Sequence, residues 1–130
     1  MKKVLITGCS SGFGLEIAKY FLDRGWEVVA TMRTPNPDLF EKSERLQIVP
    51  LDVTKAESIE AAVELAGPID VLVNNAGVGL LSAVEGTSQD KIRHIFETNT
   101  FGPMAVVRAF LPQFRERRSG VIVNVSSSGT

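Results

Sequence analysis

Apolar residues in this chain come in two kinds of block. Short runs with little polar interruption occupy residues 4–6, 27–31, 46–51, 69–73 and 121–125. Between them, apolar residues recur three or four positions apart, the spacing of one helix face. Leu15, Ile17, Ala18, Phe21 and Leu22 form the first such stripe, and Gly25 stands where a C-cap glycine would end it. Ile59, Ala62, Val63 and Ala66 form the second, closed by Gly67-Pro68. A third helix is predicted from Ser88, a capping residue. It carries Ile92, Ile95, Phe96 and Asn99, then Val106, Val107, Phe110, Leu111 and Phe114, and Pro103 must kink or break it. Residues 34–37 read as a turn, 38–44 as a short helix or irregular segment, and 78–87 as a longer loop.

Strands without polar alternation are buried on both faces, and helices between them supply the cover. This predicts an α/β fold of three layers, a doubly wound parallel sheet. Right-handed crossovers give five strands in the order 3-2-1-4-5, with a crevice between the first and fourth. The chain reads as one domain.

Composition narrows the partners. Fourteen basic residues against fifteen acidic leave a net charge of −1, which does not favour nucleic acid or an acidic membrane surface. A single cysteine, Cys9, precludes an internal disulfide and fits a reducing, cytoplasmic setting. The few apolar residues after Met1-Lys2-Lys3 are too short for a signal-peptide core, and no run reaches membrane-spanning length.

The chemistry begins where the first strand runs into Thr7-Gly8-Cys9-Ser10-Ser11-Gly12-Phe13-Gly14. Strand, glycine-rich turn and helix in that order collect backbone N–H groups and a helix N-terminus around one small volume, a site for a phosphate anion. The spacing is G-x-x-x-G-x-G. It lacks the Gly-Lys-Ser/Thr ending of a nucleoside triphosphate loop.

The glycine loop, Leu51-Asp52-Val53, Asn74-Asn75-Ala76-Gly77, Asn99 and Val123-Asn124-Val125-Ser126-Ser127 follow one another at characteristic spacings. Together they resemble the short-chain dehydrogenase/reductase family, over the whole chain. The resemblance implies a Rossmann-type fold and hydride transfer between a nicotinamide cofactor and a small carbonyl or alcohol substrate. It assigns Gly8, Ser10, Ser11, Gly12, Phe13 and Gly14 to the dinucleotide phosphate loop. Asp52, with Val53 beside it, corresponds to the carboxylate that meets the adenine amino group. Asn74, Ala76 and Gly77 line the nicotinamide-ribose side. Asn99 corresponds to the residue whose backbone carbonyl holds a relay water. Ser127 corresponds to the catalytic serine, within a triple-serine run where Ser126 and Ser128 are its neighbours. Related enzymes often form homo-oligomers, which is expected here too. No metal site is expected.

Cofactor choice turns on the end of the second strand. A carboxylate there reads a ribose 2′-OH, but the position holds Met32, followed by Arg33. A guanidinium pairs with a 2′-phosphate, so NADP(H) is expected over NAD(H). Ser11 is a candidate for a further hydroxyl contact.

The family's Tyr-x-x-x-Lys pair is expected a little beyond Thr130. The only tyrosine, Tyr20, sits in the first helix with Lys19 beside it, and reads as a surface or packing residue. The 130 residues therefore resemble the N-terminal half of such an enzyme, an incomplete domain, inactive alone. The alternative is a catalytically silent dinucleotide-binding or regulatory module. The strand at 121–125 would then keep an open apolar edge, inviting self-association. His94 reads as a solvated helix residue and Trp26 as a turn or packing residue. Cys9 reads as a small loop residue, with a reactive thiol at a helix N-terminus as the alternative. The apolar loop at 78–84 reads as pocket lining or core.

Overall fold

The computed structural model describes residues 1–75 and 86–125. Five parallel strands form one sheet: β1 (Lys3–Ile6), β2 (Glu27–Met32), β3 (Leu46–Pro50), β4 (Val71–Asn74) and β5 (Val121–Asn124). Their order is β3-β2-β1-β4-β5. The helices are α1 (Gly12–Asp23), α2 (Ala56–Ala66), α3 (Gln89–Phe96) and α4 (Gly102–Arg117).

Side chains alternate across the strands and feed two cores. Leu5 and Val29 face one layer, where Ile59, Ala62 and Ala66 of α2 meet Val106, Phe110 and Phe114 of α4. Val4, Ile6, Val28 and Ala30 face the other, against Ala18 of α1 with Ile17, Phe21 and Leu22 at its margin. The central strands are buried on both faces, which is why their sequences lack polar alternation. Trp26 packs edge-on against Phe21, with ring centroids 4.8 Å apart.

The fold agrees with the sequence-based architecture and differs in detail. The irregular segment after β2 holds only a single 3₁₀ turn, Pro37–Leu39, with Asn36 Oδ1 accepting from the Asp38 N–H at 3.1 Å. The long helix is interrupted before Pro103. A wide π turn, Glu97–Phe101, separates α3 from α4. Pro103 then lies in the first turn of α4, where its missing N–H is no loss. Ser88 caps α3 as expected, its hydroxyl accepting from the Lys91 N–H at 3.2 Å.

Within the described residues β5 is an edge strand, and Val121 and Val123 are 54% and 43% exposed. No helix among the described residues is long and apolar enough to cross a membrane.

Candidate functional site

Parallel pairing places the C-terminal ends of all five strands on one rim. The glycine loop leaves β1 there and is pinned from both sides. The Cys9 N–H donates to Thr31 O at 2.9 Å, and Thr31 Oγ1 donates to Ile6 O at 2.8 Å. Across the switch point, the Thr7 N–H donates to Val73 O at 3.0 Å. The Asn75 N–H donates to Thr7 Oγ1 at 2.8 Å, and Asn75 Nδ2 to Gly8 O at 3.3 Å.

Two glycine requirements shape the loop. Gly8 and Gly12 have φ of 70° and 59°, in the left-handed region that other residues seldom enter. Gly14 is needed for contact instead. A Cβ there would lie 2.0 Å from Gly8 O and 2.5 Å from Asn75 Nδ2. Its absence lets the first turn of α1 rest on the loop. That turn has no side-chain cap from Ser11 and no acidic residue. Its N–H groups and the positive end of the helix dipole are therefore left for an anion.

A cleft of about 350 Å³ opens beside the loop. Thr7, Gly8 and Ser10 form one side, Met32, Arg33 and Thr34 the end of β2, and Leu51, Asp52 and Val53 the end of β3; Thr98 also lines it. The pairing of Met32 with Pro50 brings the β2 and β3 ends together. Burial raises the Asp52 pKa. The hydroxyl and N–H of Thr54, donating to Asp52 Oδ1 at 2.6 and 3.0 Å, lower it more, helped by the positive charges of Arg33 and Lys55. The net result is a carboxylate held below its ordinary range.

The sequence-predicted residues are thus partly gathered. Gly8, Ser10, Arg33, Asp52 and Val53 share the cleft. Ser11, Gly12 and Phe13 are exposed outside its lining, and Gly14 is buried beneath the loop. Asn74 is buried. Its Nδ2 donates to Asn124 Oδ1 at 3.2 Å and Pro103 O at 3.5 Å, while its Oδ1 has no partner. Asn99 sits in the π turn, and with Asn74 and Asn124 it borders a second hollow of about 800 Å³ along α4. Ala76, Gly77, the 78–84 loop and Ser126, Ser127 and Ser128 lie outside the described residues.

Cys9 is fully buried, its thiol donating to Ile6 O at 3.2 Å. Burial pushes its pKa up to about 12, against the opposing effect of a backbone hydrogen bond with Thr31. A buried thiol with a raised pKa fits the packed loop residue rather than the reactive-thiol alternative. Tyr20 is exposed on α1 with the Arg24 guanidinium 3.7 Å from its ring centre. His94 is exposed, and no group of metal-ligating side chains occurs among the described residues.

Three contributors were not singled out from sequence. Asn75 braces the glycine loop, and its neighbours in the Asn-Asn-Ala-Gly run were the available signal. Gly102 lets α4 start against Val53, since a Cβ there would sit 2.6 Å from Val53 Cγ2. Thr98 had no signal beyond its place before Asn99.

Comparison with known proteins places this geometry. Residues 2–130 match the family model for short chain dehydrogenase. Retinol dehydrogenase 8 of Bos taurus is 42% identical over 97% of this chain and 44% of that protein. A crystal structure of a short-chain dehydrogenase from Streptomyces avermitilis superposes with a TM-score of 0.87 at 40% identity, over 98% of this chain and 50% of that one. The closed form of serine dehydrogenase complexed with NADP+ superposes with a TM-score of 0.88 at 33% identity, over 97% of this chain and 54% of that one.

 This chain spans about half the length of the curated relatives it matches.

Proposed function

Because the chain belongs to the short-chain dehydrogenase family, we propose that its cleft holds NADP(H) for hydride transfer between nicotinamide and a small carbonyl or alcohol substrate. The observation that carries this reading is the convergence of Gly8, Ser10, Arg33 and Asp52 on one cleft beside an uncapped helix N-terminus. The residues fit such a group. The missing Cβ at Gly14 keeps the loop seated on α1, and the loop's backbone N–H groups suit a pyrophosphate. The NADP+ named in the serine dehydrogenase complex supports the choice of cofactor.

In this reading the Arg33 guanidinium and the Ser10 hydroxyl bind the 2′-phosphate. Asp52, oriented by Thr54, accepts from the adenine amino group. The bound nicotinamide supplies or accepts the hydride. Ser127 hydrogen-bonds the substrate oxygen, and the Asn99 carbonyl holds a relay water. Tyr20, on the surface of α1 beneath Arg24, is not the proton donor. The family resemblance assigns that role to a Tyr-x-x-x-Lys pair, and Tyr20 is followed four residues later by Arg24, not lysine.

The test is nucleotide binding by calorimetry. Arg33→Ala should weaken NADPH by about tenfold or more, the loss of one charge-assisted hydrogen bond or two, and leave NADH nearly unchanged. Equal losses for both nucleotides would overturn the 2′-phosphate assignment.

A further inference from the structure

Thr98 is only 9% exposed, and its hydroxyl is buried with no hydrogen-bond partner. Buried polar side chains are rarely left in that state, and each exception calls for a cause. The residue lines the cleft that also holds Arg33, Asp52 and Val53. It lies in the π turn, an irregularity that often marks functional sites in helices. Close packing holds that turn in place, because Gly102 lies directly against Val53.

We propose that Thr98 is a nucleotide-positioning residue whose hydroxyl finds its partner on the adenosine half of the bound dinucleotide. The inference rests on reading the cleft as the nucleotide site. Threonine in a helix divides between two side-chain rotamers, which aim the hydroxyl in different directions. Rotation about one bond presents the hydroxyl to the cleft when a ligand offers a partner. Without ligand, the hydroxyl is buried and unpaired at the edge of the cleft.

Thr98→Val keeps the shape and removes the hydroxyl, and Thr98→Ser keeps the hydroxyl. Calorimetry with adenosine 2′,5′-bisphosphate and, separately, reduced nicotinamide mononucleotide reads the two halves of the cofactor. Thr98→Val should weaken the adenosine probe about three- to tenfold, one neutral hydrogen bond, and leave the nicotinamide probe unchanged. Thr98→Ser should restore most of the loss. The melting temperature of ligand-free Thr98→Val should stay level or rise, because an unpaired buried hydroxyl has been removed. Unchanged affinity for the adenosine probe, or equal losses for both probes, would overturn the role of Thr98 alone. A wild-type protein that binds no adenosine probe would overturn the cleft reading as well.

Discussion

Alanine at Gly14 should damage the site more than alanine at Gly12, for a reason the two glycines do not share. At Gly14 the new methyl would lie 2.0 Å from Gly8 O and 2.5 Å from Asn75 Nδ2. Both are parts of the loop brace, and the carbonyl would have to retreat about 1.4 Å to reach ordinary contact at 3.4 Å. Such a shift breaks the 3.3 Å bond from Asn75 Nδ2 to Gly8 O and moves the loop off the helix N-terminus. Overpacking of this kind costs about 1–3 kcal/mol, and the lost hydrogen bond adds about 1 kcal/mol. At Gly12 a methyl meets open space, and the penalty is the left-handed backbone alone, about 1–2 kcal/mol. Urea unfolding should rank the midpoints wild type, Gly12→Ala, Gly14→Ala in falling order. NADPH titration should show the larger loss of affinity for Gly14→Ala. A Gly14→Ala protein with wild-type midpoint and affinity would refute the close-packing argument.

Three other outcomes are expected. The Asp52 carboxylate is held below its ordinary pKa of 3.8, so the stability it contributes is fully present above that value and is lost as pH falls through the depressed folded value. Acid unfolding of Asp52→Asn should therefore be shallower than that of the wild type below about pH 4, and parallel curves there would count against it. The buried Cys9 thiol should resist a thiol reagent at mildly alkaline pH in the native protein and react at once in denaturant; rapid native labelling would contradict its burial. The 130-residue polypeptide should associate with rising concentration through β5, and Val123→Lys should weaken that association in sedimentation velocity. A wild-type polypeptide that stays monomeric would remove the edge strand as the cause.

Much of the framework was legible along the chain. Unbroken apolar runs between helical stripes specify a parallel sheet with two covered faces, because burial on both sides leaves no polar register. Gly25 and Gly67 marked helix ends, and both have positive φ. The third helix was less legible. Pro103 signalled an irregularity, but the π turn lies before it, at Glu97–Phe101, where Gly102 packs against Val53. That depends on a contact between residues far apart in sequence, which periodicity does not report.

The same division runs through the site. By itself the sequence determined the strand–glycine–helix order and the presence of Arg33 and Asp52 at strand ends. Those properties belong to local stretches of backbone and to residue type. Only the tertiary structure decided that Ser10, not Ser11, lines the cleft with Arg33, that Asn75 spans 67 residues to brace Gly8, and that Thr98 carries an unpaired hydroxyl at the same cleft. Parallel pairing of Met32 with Pro50 and of Ile6 with Val73 brings those segments to one rim. Distance, burial and hydrogen-bond partnership arise from that packing, and a linear pattern of residue types carries none of them.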